Sequence, residues 1–180
     1  FTKSESTITT DGASIPGGPW MGSIMAAISG SSKEKSATLD LNGNKLTVDT
    51  GYNATVGIAG IGSGKVEINN AGAMSVNGER AALYANGGGM ITIHNGHDSA
   101  GTLTLRAGSS NPRNVAVVKT MNGADGVTSR ITIVGLVDIL ADEKAEDGHG
   151  DNEAVSAVAS DINIGGGTIK AINGAWAAIR

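Results

Sequence analysis

Asp40 and Glu67 are the two residues of this chain whose spacing first suggests chemistry. They are the outward members of two alternating segments, TLDL at 38–41 and KVEI at 65–68. If those segments stack in register, the carboxylates lie about one strand spacing apart, roughly 5 Å. Two carboxylates that close can share a proton or a calcium ion. A glycosidase pair is spaced on a similar scale. The competing reading is two solvated side chains splayed apart.

The segment Asp142-Glu143-Lys144-Ala145-Glu146-Asp147-Gly148-His149-Gly150-Asp151 is the second candidate. Its oxygens suit calcium, although it has neither EF-hand spacing nor the Gly-rich nonapeptide pattern. A solvated acidic loop is the favoured reading. His94, His97 and Asp98 carry transition-metal ligand types in the turn HNGHD, too closely grouped in a turn to assign a metal site. No cofactor, metal ligand or catalytic residue is therefore expected, calcium being the one ion the acidic residues would admit. Asp138 and Lys170 read as an exposed ion pair between neighbouring repeats, a contact that contributes little. Trp20, Tyr52, Tyr84 and Trp176 could stack on sugars, but they are scattered. No nucleophile elbow, phosphate loop or zinc motif occurs.

These residues are positioned by a repeat. The segments TLDL, KVEI, MITI, RITI and DINI begin at 38, 65, 90, 130 and 161. Each alternates apolar and polar, the mark of a half-buried strand. A third segment follows each: KLTV, AMSV, TLTL, LVDI and TIKAI, beginning at 45, 73, 102, 136 and 168. First segments richer in small residues precede them, at 24–28, 55–58, 81–85, 115–118, 154–158 and 175–179. Gly, Asn, Asp and Ser separate the segments, as turns require. Repeats of this length indicate a solenoid.

The expected fold is all-β: a right-handed single-stranded parallel β-helix of about five to six coils, each of three short strands. Residues 1–22 read as an irregular cap or arm, and 23–180 as the solenoid with corner-loop insertions. One interior ladder would comprise Ile68, Ile93, Ile133 and Ile164, with Leu41 at its start. Val48, Val76, Leu105 and Ile139 would form another. A β-sandwich is the alternative. Insertions after the same strand emerge on the same side, which sets Arg113 near the acidic loop. Loops are the usual seat of binding, so partner contacts are expected at 94–101, 107–114, 119–129 and 141–152.

Composition narrows the function classes. The 180 residues include no cysteine, which excludes disulfides and thiolate metal sites. Aromatics make up 3%, which suits a narrow interior of Val, Ile, Leu and Ala. The formal charge is −4, yet residues 141–153 alone carry six acids and one lysine. The remainder is nearly neutral and has no basic stripe, so no nucleic-acid partner is expected. No apolar run reaches the roughly 18 residues of a membrane span. No leader remains at Phe1, so a mature or excised chain is expected. Phe1, Ile8, Trp20, Trp176 and Ile179 would form an end-to-end interface if copies stack.

The stretches LTLRAGSSNPRNVAVV at 103–118, GLVDILADE at 135–143 and INIGGGTIKAINGAWAAI at 162–179 resemble the passenger regions of bacterial autotransporter proteins, including adhesin-like members. The likeness is at the level of the repeat and covers most of 24–179. It implies a surface-exposed stalk or adhesin of Gram-negative bacteria, carried ahead of a membrane barrel that is not visible here. It transfers no active site. The sequence therefore favours a non-enzymatic extracellular or cell-surface protein. Its partners would be itself, further repeats, or a host or matrix glycan or protein. A self-assembling filament subunit and a polysaccharide-acting enzyme are the alternatives.

Overall fold

The structure is a computed structural model. It describes residues 5–10, 22–27, 36–50, 56–78, 80–95, 103–107, 116–121, 127–142, 153–172 and 177–180. Among these residues there is no helix; strands are joined by turns, bends and irregular residues. Among the described residues no helix is long and apolar enough to cross a membrane.

Six strands carry the first segments: β2 (Gly22–Ala27), β5 (Val56–Ile61), β8 (Ala81–Asn86), β11 (Ala116–Met121), β13 (Glu153–Val158) and β15 (Ala177–Ile179). They form one parallel sheet in that order. The second and third segments join in a nine-stranded parallel sheet. One arm holds β1 (Glu5–Thr10), β4 (Lys45–Thr50), β7 (Met74–Gly78) and β10 (Leu103–Ala107). The other holds β3 (Ser36–Asp40), β6 (Lys65–Ala71) and β9 (Met90–Asn95). Both arms meet on β12 (Arg130–Asp142), which also pairs with β14 (Asp161–Ile172).

This arrangement overturns the expected right-handed single-stranded β-helix of separate short strands. The strands form two layered parallel sheets in a half-barrel arrangement. The sequence pattern separates the second and third segments by a turn. Instead β12 and β14 run through it as strands of 13 and 12 residues. Their pairing shifts register between Ile133 and Leu136 and then resumes. Gly135 and Gly167 adopt φ of +103° and +122°, values that glycine reaches without a side-chain clash. A methyl group at Gly167 would strike the Val137 carbonyl. Glycine therefore bends the strand here rather than ending it.

The core fills the space between the sheets. Ile68, Ile93, Ile133 and Ile164 stack as neighbours through the ladder. Val48, Val76, Leu105 and Ile139 stack likewise. Facing them, Ile58, Leu83, Val118 and Val155 line the six-stranded sheet. Nearly all of these side chains are buried. Burying each one stabilises by roughly 1.5–3 kcal/mol relative to exposure. Leu39, not Leu41, begins the isoleucine ladder, because it pairs with Ile68.

That two-residue difference also separates Asp40 from Glu67. Asp40 pairs with Asn69, and Glu67 with Thr38 and Thr92. Asp138 likewise pairs with Thr168, while Lys170 pairs with Leu140. Strands alternate with period two, so a slip of two residues preserves the inward and outward pattern. Alternation alone cannot detect it.

Candidate functional site

A polar strip runs across β4, β7, β10, the second half of β12, and β14. Its residues point away from the core because they alternate with the valine and leucine ladder. One row runs Thr47, Ser75, Thr104, Asp138 and Thr168. The parallel row runs Asp49, Asn77, Arg106, Leu140 and Lys170. Parallel pairing sets successive members of each row about 4.8 Å apart.

The strip contains two shallow depressions, of about 470 and 450 Å³. Thr104 and Arg106 line both and join them. At one end the Asn77 amide donates to the Asp49 carboxylate at 3.0 Å. At the other, Asp138 and Lys170 line the same depression as Arg106. Among the described residues Arg106, Asp138 and Lys170 form no ion pair with one another. Their charges remain open to a ligand. The hydroxyls, amide and carboxylates offer both donors and acceptors.

The predicted site residues fall elsewhere or outside the described residues. His94 lies on β9, half-exposed, with its Nε2 3.9 Å from the Glu67 carboxylate. Glu67 also accepts a bond from the Asn69 amide at 3.3 Å. Asp142 ends β12. Ile8 pairs with Val48 on β1, and Ile179 pairs with Val155 on β15 and is exposed. His97, Asp98, Arg113, Glu143, Asp147, His149 and Asp151 lie outside the described residues, as do Phe1, Trp20 and Trp176. Among the described residues no three His, Cys, Asp or Glu side chains group to hold a metal.

Asp40 takes a different role. Its Oδ1 accepts the Asn42 backbone N–H at 2.9 Å and the Asn70 amide at 3.1 Å. These two bonds hold its carboxyl below the usual aspartate range. Asn42 and Asn70 both adopt positive φ, at +48° and +54°. The carboxylate thus ties the turn after β3 to the end of β6.

A second polar group lies on the six-stranded sheet. Glu153, the last residue of the acid-rich stretch, is buried on β13 and pairs with Arg180 at 3.0 Å. Lys119 pairs with Tyr84 on one side and Ser156 on the other. Burial pushes the Lys119 ammonium below its ordinary pKa, with Glu153 opposing that shift and Arg180 adding to it. Burial also raises the Tyr84 pKa, against a hydrogen bond from Asn86. Tyr84 is part of a small apolar cluster with Val56, Ala59 and Ala81, so it is not available for sugar stacking.

The strip lies on strands rather than on the loops that carry metal-ligand residue types. Its signal was present in the third segments, where Thr, Asp, Asn, Arg and Lys recur at the outward positions. Combining them into one surface requires the pairing register. Comparison with protein-family models, curated proteins and solved structures finds no match.

Proposed function

We propose that this chain is a non-enzymatic, surface-exposed structural and adhesive module that holds an extended ligand along its polar strip. The observation that carries this reading is the continuity of the strip: two depressions joined through Thr104 and Arg106. Repeated strands present polar groups at a constant spacing, which suits a repeating polymer better than a compact metabolite. Binding residues held on strands are also preorganised, because strand pairing fixes each one. The resemblance to autotransporter passengers supports an extracellular or bacterial-surface setting. The polysaccharide-acting alternative loses the carboxylate pair on which it rested, since Asp40 and Glu67 are offset by two residues.

Adhesion of protein-coated beads to mammalian cell monolayers and to extracellular matrix tests this reading. Wild-type protein should retain beads under flow, and a variant with Arg106→Ala and Asp49→Ala should release them. Retention equal to that of uncoated beads overturns it.

A second reading, assembly into filaments, is favoured by the sheet edges. Among the described residues β14 pairs only with β12, and β3 only with β6. Unpaired edges are templates for another chain. Negative-stain microscopy with light scattering across concentration decides this: regular filaments support it, and a monomer at all concentrations refutes it.

A further inference from the structure

Within the binding role proposed above for the strip, we propose that its β10–β12–β14 end recognises a linear glycan in which acidic and neutral sugars alternate. The basis is the order of side chains on three adjacent strands. Arg106, Leu140 and Lys170 are consecutive members of one row. The two cations therefore stand two strand spacings apart, about 10 Å. Leu140 lies between them and is only half-buried. Asp138 stands two residues before Leu140 on the same strand and lines the same depression.

A glycan laid along this row meets cation, apolar surface, cation. An extended pyranose chain advances by about one strand spacing per sugar. An acidic sugar over Arg106 places its carboxylate against a planar guanidinium, the geometry that makes two parallel hydrogen bonds. The next sugar covers Leu140 with its C–H face and turns hydroxyls toward Asp138. The third places its acid group against the Lys170 ammonium. Asp138 gives the selectivity: it accepts from the hydroxyls of a neutral sugar and repels an acid at that position. Asp49, tied to Asn77, extends the row beyond Arg106 with a negative charge. It disfavours acid groups there and confines the acidic footprint to these three strands.

Isothermal titration calorimetry tests the proposal, with hyaluronan octasaccharide as the alternating probe. Oligogalacturonate, acidic at every sugar, and cello-oligosaccharide, which is neutral, serve as comparisons. The alternating probe should bind at least about tenfold more tightly than either, and Arg106→Gln or Lys170→Gln should each weaken it by about tenfold or more. Binding should also weaken as salt rises. Asp138→Asn should retain the alternating probe and narrow its advantage over oligogalacturonate. All three positions lie on the surface strip, and thermal melting of each variant verifies its fold. Equal binding of the three probes overturns the proposal, as does no binding of the alternating probe. Wild-type affinity in both Arg106→Gln and Lys170→Gln overturns it too. If coated beads still adhere while no glycan binds, the glycan assignment fails and the adhesive role stands. If neither occurs, both fail.

Discussion

The Asn70 side-chain amide donates to the Asp40 carboxylate at 3.1 Å, joining the ends of β6 and β3 across 30 residues of chain. Asn70 sits at φ +54°, a conformation that costs most L-residues roughly 1–2 kcal/mol. Asparagine tolerates it and uses its amide to bridge. Asn70→Ala should therefore lower stability by about 1–2 kcal/mol, and Asn70→Gly by less, because glycine relieves the backbone cost. Urea denaturation of both variants separates the backbone contribution from the hydrogen bond. Asp40 adds an acid dependence. Its carboxyl titrates below its ordinary value, so the stability it contributes is complete above about pH 4 and is lost as pH falls through the lowered value. Asp40→Asn should flatten that acid limb.

Ser129 links the turn at Gly88 to the end of β11. It is buried; its Oγ accepts the Gly88 N–H at 3.0 Å and donates to the Met121 carbonyl at 2.6 Å. Ser129→Ala leaves both partners without this bond, and buried unsatisfied groups are costly. The expected loss is about 1–3 kcal/mol by chemical denaturation. An unchanged midpoint would show that the two groups find other partners.

Leu105 occupies the middle of its ladder, between Val76 and Ile139, and is fully buried. Leu105→Ala should cost about 2–5 kcal/mol, while Leu105→Ile should cost far less. A thermal melt of each variant gives the comparison. Equal losses would mean that volume at this layer is not what stabilises it.

Lys119 predicts an alkaline effect. Its pKa in the folded chain lies below the ordinary lysine value because burial disfavours the ammonium. Below that lowered value both states are protonated and the burial cost is fully present. As pH rises toward the ordinary value, near 10.4, the folded chain has already lost its proton and the cost disappears. Stability should rise across this interval, and Lys119→Met should abolish the rise. Tyr84 acts in the opposite sense. Its pKa is raised, so above about pH 10 the unfolded chain ionises first and stability falls. The Lys119→Met variant should retain only that fall, measured as denaturation midpoint against pH.

Much of the strand content could be read from the sequence because alternation is local. RITI and DINI announce half-buried strands through residues two apart, and like residues such as Ile93, Ile133 and Ile164 recur because successive strands stack on one another. The sequence by itself therefore determined the strand segments, the repeat and most interior ladders. Local pattern could not decide register. Shifting TLDL by two residues leaves every apolar residue inward, so only pairing places Leu39 beside Ile68 and parts Asp40 from Glu67. Nor could it decide whether a glycine corner ends a strand, since Gly135 and Gly167 bend strands that continue. The merger of second and third segments into one sheet is a tertiary result. So is the strip on which Arg106, Leu140 and Lys170 align, because residues 30 or more positions apart become neighbours only through the hydrogen bonds of parallel strands.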